Sequence, residues 1–239
     1  MNRLGEGLAI LSLLLTALTA LLSLAGAAGP RRDWIGRSVS AMRATAWVNL
    51  AMALLLVMAF VGHDFANRYV ASYSDRGMPL VYLLTAFWGG EKGALLFWVV
   101  VLSLLGVAVG RGRTREVDPG FGVTHGVIAL ALLFFDILMV WASSPFEAFA
   151  HMAPSEGNGL NPLLQNPLMA IHPPLQLAGF VAYTIPFAYG IADVVTGRTD
   201  GRWYAQSHSF NLLAWILTTG GLNECDCAYH RPSVRSEEH

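Results

Sequence analysis

The chain is 239 residues long, 54% hydrophobic and only 13% charged, with a formal net charge of −1 at pH 7. Its mean hydropathy of +0.49 lies above that of an ordinary soluble domain. A net charge so near zero excludes a bulk electrostatic case for nucleic-acid binding. The apolar runs approach the ~20 residues needed to cross a ~30 Å hydrocarbon core, which makes this an integral membrane protein.

Taken in chain order, five complete spans are predicted at 8–28, 44–61, 94–109, 123–143 and 175–195, with an incomplete sixth at 210–222. Unbroken apolar runs indicate helices rather than the alternating strands of a barrel. The expected fold class is therefore all-α, a polytopic membrane helical bundle of five or six spans. A cleaved signal peptide is the alternative for the first span, because Ala25-Gly26-Ala27 resembles a cleavage site. Against it, the apolar core is long for a signal and Arg3 is the only positive charge ahead of it.

Loop charges set the orientation. Arg31, Arg32, Arg37 and Arg43 follow the first span, Arg111, Arg113 and Arg115 the third, and Arg198 and Arg202 the fifth. The loop at 144–174 has no Lys or Arg. Positive residues mark cytoplasmic loops, so the N-terminus and that loop face outward, in a bacterium toward the periplasm. The loop after the second span mixes Arg68 and Arg76 with Asp64 and Asp75, which weakens the signal without reversing it.

Three segments carry chemistry. The stretch 80–98 is an aromatic-rich apolar run too short to span, broken at Trp88-Gly89-Gly90 and again at Gly93. Glycines there would let the backbone approach a flat partner closely; the alternative is an interfacial segment leading into a helix. Asp136 lies inside the fourth span, where an ionisable group costs roughly 2.5–3.5 kcal/mol on insertion scales and faces a bundle interior or water. It reads as a proton-relay residue or as a protonated acid bonded to a neighbouring helix. The segment 159–174 has no charged side chain, four prolines and a single imidazole, His172. Pro173 reads as a first-turn proline, which puts His172 at or near the N-cap of the fifth span. A neutral imidazole is the form that ligates metals.

The other histidines are weaker candidates. His63 and His125 fall at span ends, and His208 falls on the cytoplasmic face. His151 stands beside Met152, and adjacent side chains on a loop rarely ligate iron together. Cys225 and Cys227 have a C-x-C spacing rather than the C-x-x-C-H of covalent haem attachment. A metal clip of Cys225, Cys227 and His230 would lack a fourth ligand. His230 and His239 belong to a polar tail.

Together these segments carry a resemblance. Trp88-Gly89-Gly90-x-x-Gly93-x-Leu95-x-x-Trp98, Ser144-Pro145-Phe146, Gly159-Leu160-Asn161-Pro162-Leu163-Leu164-Gln165 and His172-Pro173-Pro174 resemble the CcmF family. These are the haem lyase subunits of bacterial cytochrome c maturation, among the haem-handling membrane proteins, and the likeness runs from near the N-terminus to about Gly221. The resemblance implies haem as cofactor, received from a haem chaperone and held at the periplasmic face between two loop histidines. It further implies delivery to the thiols of apocytochrome c with thiol-handling subunits as partners, a separate b-type haem within the membrane, and a place in the bacterial inner membrane. By that resemblance His172 matches the first of the two loop histidines and is the expected axial ligand. Trp88, Gly89, Gly90 and Gly93 match an early motif expected to shape the site, and no catalytic residue is assigned.

There are departures. Ala94 stands where the family usually has a small hydroxyl residue. Family members continue into a tryptophan-rich loop, the second periplasmic histidine and the histidines of the membrane haem. Here about a dozen apolar residues, rising ~18 Å, give way to the polar segment 223–239. The expectation is a membrane region at 1–222, a disordered tail at 223–239 and a truncated or frameshifted copy, impaired in haem delivery and not active as a lyase alone. The rival class is a transporter or channel subunit with Asp136 on an ion path. Transporter sites sit near the midplane on broken helices, whereas the unusual residues here cluster at the outer face.

Overall fold

The computed structural model describes residues 1–111, 118–150, 152–165, 167–198 and 201–229. The chain runs through α1 (Asn2–Ala28), α2 (Asp33–Val61), α3 (Arg68–Tyr73), α4 (Leu80–Thr85), α5 (Glu91–Val109), α6 (Pro119–Trp141), α7 (Pro167–Ala182), α8 (Thr184–Thr196) and α9 (Arg202–Tyr229). Short 3-10 turns occupy Ala86–Trp88 and Pro162–Leu164. Among the described residues there is no strand, only an isolated antiparallel bridge between Asn67 and Ala148. Among the described residues five stretches are long and apolar enough to cross a bilayer: α1, α2, α5, α6 and Ala170–Thr196. This is the expected all-α, polytopic membrane architecture.

Packing among the first helices follows the physics of lipid, where tails are as apolar as leucine and close backbone approach drives association. Along α1, Gly5, Ala9, Ser12, Thr16, Ala20 and Ser23 form a buried stripe of small residues facing α2 and α6. Leu11, Leu14, Leu18 and Leu21 point outward. Phe146, from the Ser144-Pro145-Phe146 motif, is fully buried over α1; a Cβ on Gly5 would lie 2.2 Å from its ring.

Several helix boundaries differ from the sequence reading. α2 begins at Asp33 rather than at residue 44, because Arg37 and Arg43 occupy its exposed side while Ile35, Ser38, Val39 and Met42 continue the buried side. Arg37 pairs with Asp33 at 3.2 Å. The expected fifth span is two helices, α7 and α8, broken at Tyr183. Pro186 explains the break: it has no N–H for the carbonyl of Ala182 and its ring clashes there. α7 itself starts at Pro167, which takes the first helical position where a missing N–H costs nothing. Pro173 and Pro174 therefore lie inside the helix, and His172 sits in its second turn rather than at an N-cap.

The last boundary concerns α9. It spans 28 residues and contains the whole of 210–222, and its backbone stays helical through Tyr229, into the segment expected to be an unstructured tail. α9 lies close against α7: a Cβ on Gly179 would be 2.3 Å from Thr218 Oγ1, and one on Gly221 would be 3.0 Å from Gln176.

The two ends of the bundle are built differently. At the arginine-rich end Arg198 pairs with Asp118 at 2.5 Å; Arg113 and Arg115 lie outside the described residues. At the other end, loops 62–90 and 142–166 interlock. Arg68 donates its backbone N–H to Glu147, Asn158 to Ala71 and Gly159 to Ser74, and Arg76 pairs with Glu156 at 3.7 Å.

Candidate functional site

The turn through Trp88, Gly89 and Gly90 is positioned from below by one phenol. α3 begins at Asn67, whose side-chain oxygen caps it by accepting from Val70 N–H at 3.0 Å. The same amide donates to Pro145 O at 2.9 Å and to Asn2 Oδ1 at 3.0 Å. One helical turn then carries Tyr69 into the interior, 3% exposed. Its hydroxyl accepts from Gly90 N–H at 3.0 Å and faces the carbonyls of Ala86 (3.2 Å), Phe87 (3.1 Å) and Gly90 (3.3 Å). One phenolic proton is thus shared among three acceptors that the broken helix leaves open. Burial pushes the Tyr69 phenol above its ordinary range, which keeps it a neutral donor.

The glycines of this turn are spaced for contacts within the protein. A Cβ on Gly93 would fall 1.7 Å from Phe87 O and 2.5 Å from the Tyr69 hydroxyl. One on Gly90 would fall 2.4 Å from the Tyr73 ring, and one on Gly89 would lie 3.2 Å from Leu160. Gly93 is buried beneath the turn, whereas Gly89 and Gly90 line a cleft.

That cleft is open, about 410 Å³, and lies between the Trp88–Gly90 turn and α7. Trp88, Gly89, Gly90 and Glu91 line one side; His172 and Phe180 line the other. His172 Nδ1 is hydrogen-bonded to Gly221 O of α9. A carbonyl only accepts, so Nδ1 carries the proton and Nε2 keeps the lone pair through which imidazole ligates metals. Trp88 Nε1 is buried and has no hydrogen-bond partner among the described residues. The charge-free loop is pinned beside the turn by Tyr82 Oη donating to Gln165 O (2.8 Å) and Gln165 Nε2 donating to Leu160 O (2.9 Å).

Two features adjoin the cleft. Glu91 accepts from Ser143 Oγ at 2.7 Å, and past it an apolar groove of about 380 Å³ runs between Trp98, Leu138 and Leu177. Nearby, Glu147 accepts from Lys92 Nζ at 2.7 Å and also from Arg68. The Lys92 hydrogen bond is the main cause that holds the Glu147 carboxyl below the usual carboxylate range.

The structure therefore brings His172 together with Trp88, Gly89 and Gly90, and leaves Gly93 behind the turn. His63, His125 and His208 do not line the cleft. His125 is buried with Ser23 and Ser38 at 3.1 Å each. Asp136 is fully buried in the helix interior against Ser12. His151 and His230 and the side chains of Cys225 and Cys227 lie outside the described residues. Among the described residues no cluster of three His, Cys, Asp or Glu could hold a metal. The sequence reading missed Asn67, Tyr69 and Gly221. The first two had a signal, a capping residue followed by tyrosines four apart at 69 and 73; Gly221 had none.

Fold and cleft define a multi-pass helical membrane protein with an imidazole-bearing cleft at its loop-rich end. The family model described as "Cytochrome C assembly protein" matches residues 88–223, more than half of the chain, and the chain belongs to that family. It is 35% identical to the cytochrome c-type biogenesis protein CcmF of Escherichia coli over 229 residues, 93% of this chain and 34% of that protein. It is 32% identical to CcmF of Pseudomonas aeruginosa over 92% of this chain and 33% of that protein. The biogenesis protein ccl1 of Rhodobacter capsulatus is 30% identical over 91% and 33%. A solved structure described as "Cytochrome c Heme Lyase CcmF" superposes with a TM-score of 0.76 at 26% identity, covering 92% of this chain and 34% of that one. The chain spans about a third of the length of the curated relatives it matches.

Proposed function

We propose that this chain supplies one side of a haem site and serves in haem binding and delivery to apocytochrome c, at the periplasmic face of the bacterial inner membrane. The observation that carries this is His172: it shares a cleft with Trp88, Gly89 and Gly90, and its Nδ1–H is committed to Gly221 O. A carbonyl that accepts from the far nitrogen of a metal-binding imidazole fixes the ring's tautomer and orientation. The donor set fits haem, with a single imidazole facing the aromatic walls of Trp88 and Phe180. When bound, haem supplies the iron and its redox chemistry; the protein's residues hold and orient it. His172 would be the residue that holds the iron. Trp88, Gly89 and Gly90 shape the wall, and Gly93 acts one layer down by letting the turn close over Tyr69. A haem chaperone and thiol-handling subunits of the maturation complex are the partners, and residues 1–222 are the working unit.

The test is absorption in the Soret region. The full chain purified in detergent should show a haem band, and His172→Ala should lose most of it. If the wild-type chain carries no more haem than a membrane-protein control without a haem site, the reading fails. Haem retained in the variant would sink the ligand assignment alone.

A further inference from the structure

Away from the cleft, the direction of three buried hydrogen bonds fixes where a proton sits. Asn49 of α2 donates its side-chain Nδ2 to Val99 O of α5 at 3.4 Å. A carbonyl cannot donate, so the amide is oriented with Oδ1 toward α1, where it can only accept. Ser12 of α1 lies 2.7 Å from that Oδ1 and also 3.2 Å from Asp136 Oδ1 of α6. A serine hydroxyl has one proton, and the shorter contact to an obligate acceptor takes it. The Ser12–Asp136 contact is then a hydrogen bond only if the proton comes from Asp136.

The surroundings agree. Ser12, Asn49 and Asp136 are each 0% exposed. Among the described residues Asp136 Oδ2 makes no hydrogen bond within normal limits, and the Thr16 hydroxyl of α1 beside the carboxyl is itself unpaired, so an ionised carboxylate would have only hydroxyls and no cation to offset its charge in the dry interior. Among the described residues no cation is bonded to the group. The charged residues of the helices around it are Arg3 and Glu6 on α1, Asp33, Arg37 and Arg43 on α2, Glu91 and Lys92 on α5, and Asp193, not a cation, on α8. The half-buried Lys92 and Asp193 apart, all are exposed. On α6 the one other titratable side chain is His125, three helical turns away among Ser23 and Ser38.

We propose that Asp136 is a buried proton-binding site: a neutral carboxylic acid that donates to Ser12 and heads a one-way hydrogen-bond chain, Asp136 to Ser12 to Asn49 to Val99 O, across four helices. The chain ends on α5, the helix whose first residues wall the outer cleft. It couples the α1–α2–α6 bundle to that wall through directional bonds, in a medium where apolar packing alone gives little specificity.

Infrared difference spectroscopy on the purified full chain at pH 7, where exposed carboxyls are ionised, tests it. Wild type minus Asp136→Asn should show the C=O stretch of one protonated carboxylic acid, shifting in deuterated water. Asparagine can still donate to Ser12, so this variant should fold. In Ser12→Ala, which removes the acceptor of the acid's proton and with it the donor to Asn49 Oδ1, the same band should move to higher frequency; this second variant keeps the test open should the first fail to fold. Carboxylate bands in place of an acid band would overturn the proposal, and an acid band unmoved by Ser12→Ala would overturn the chain.

Discussion

The loop-rich end and the helix interior solve the same problem, satisfying polar groups away from water, in opposite ways. Within the spans the backbone satisfies itself, and most buried hydroxyls bond back to their own helix, as Thr19 does to Leu15 O, Thr45 to Ala41 O and Thr124 to Gly120 O. At the loop-rich end the helices are short and broken, so side chains take over. Tyr69 serves Gly90 N–H and faces three carbonyls, while Asn67 caps α3 and ties it to Pro145 and Asn2. The lesson is that the end bearing the cleft depends on a few irreplaceable side chains, whereas the interior spreads its interactions over many small ones.

Substitutions can break that contrast. The largest effect is expected for Gly93→Ala. The new Cβ would meet a backbone carbonyl at 1.7 Å, which no side-chain rotation relieves, so the turn must move. Overpacking costs typically 1–3 kcal/mol, and a backbone obstacle puts this case at about 3 kcal/mol or beyond, read as a large drop in thermal midpoint in detergent. Next is Tyr69→Phe, which strands a buried N–H and a set of carbonyls at a cost of about 1–3 kcal/mol. Haem retention should fall with it, since the turn that walls the cleft loosens. Ser12→Ala, in the interior, should cost less, about 0.6 kcal/mol and no more than ~1.7. If Ser12→Ala proves the more damaging of the two, the contrast between the regions is wrong.

The smallest effect is expected at the exposed ion group. Glu147 has a lowered native pKa, chiefly through Lys92. A lowered pKa stabilises the ionised native state, so the contribution is complete above the ordinary value of 4.5 and is lost as pH falls through the lowered native value. Glu147→Gln should therefore flatten the acid limb of a melting-versus-pH profile slightly. The difference should shrink in high salt, because exposed pairs are screened.

How much of this was legible in the sequence follows the same division. α1, α5 and α6 could be read because a lipid-spanning helix must be long, apolar and internally bonded. The start of α2 was hidden because Arg37 and Arg43 are tolerated on an exposed helical side near the interface. The break at Tyr183 was written in Pro186 and masked by the apolar run around it. Of the site, His172 stood out as the sole imidazole of a charge-free loop, and Trp88-Gly89-Gly90 as a helix break. Their meeting in one cleft depends on the fit of α7 against α9 through Gly179 and Gly221, a pairing between distant segments that periodicity does not encode. The glycines were legible as close approaches, but what approaches them is Phe87, Tyr73 and Leu160.

The central claim, that the loop-rich end exists to present His172 as a haem ligand, meets its most direct test in a haem titration. Haem is added to the full chain and to His172→Ala, both purified in the same detergent and first shown to melt alike, and binding is followed in the Soret region. The account predicts saturable binding by the wild type and at least tenfold weaker binding by the variant, about 1.4 kcal/mol. Equal affinity of the two proteins would contradict it.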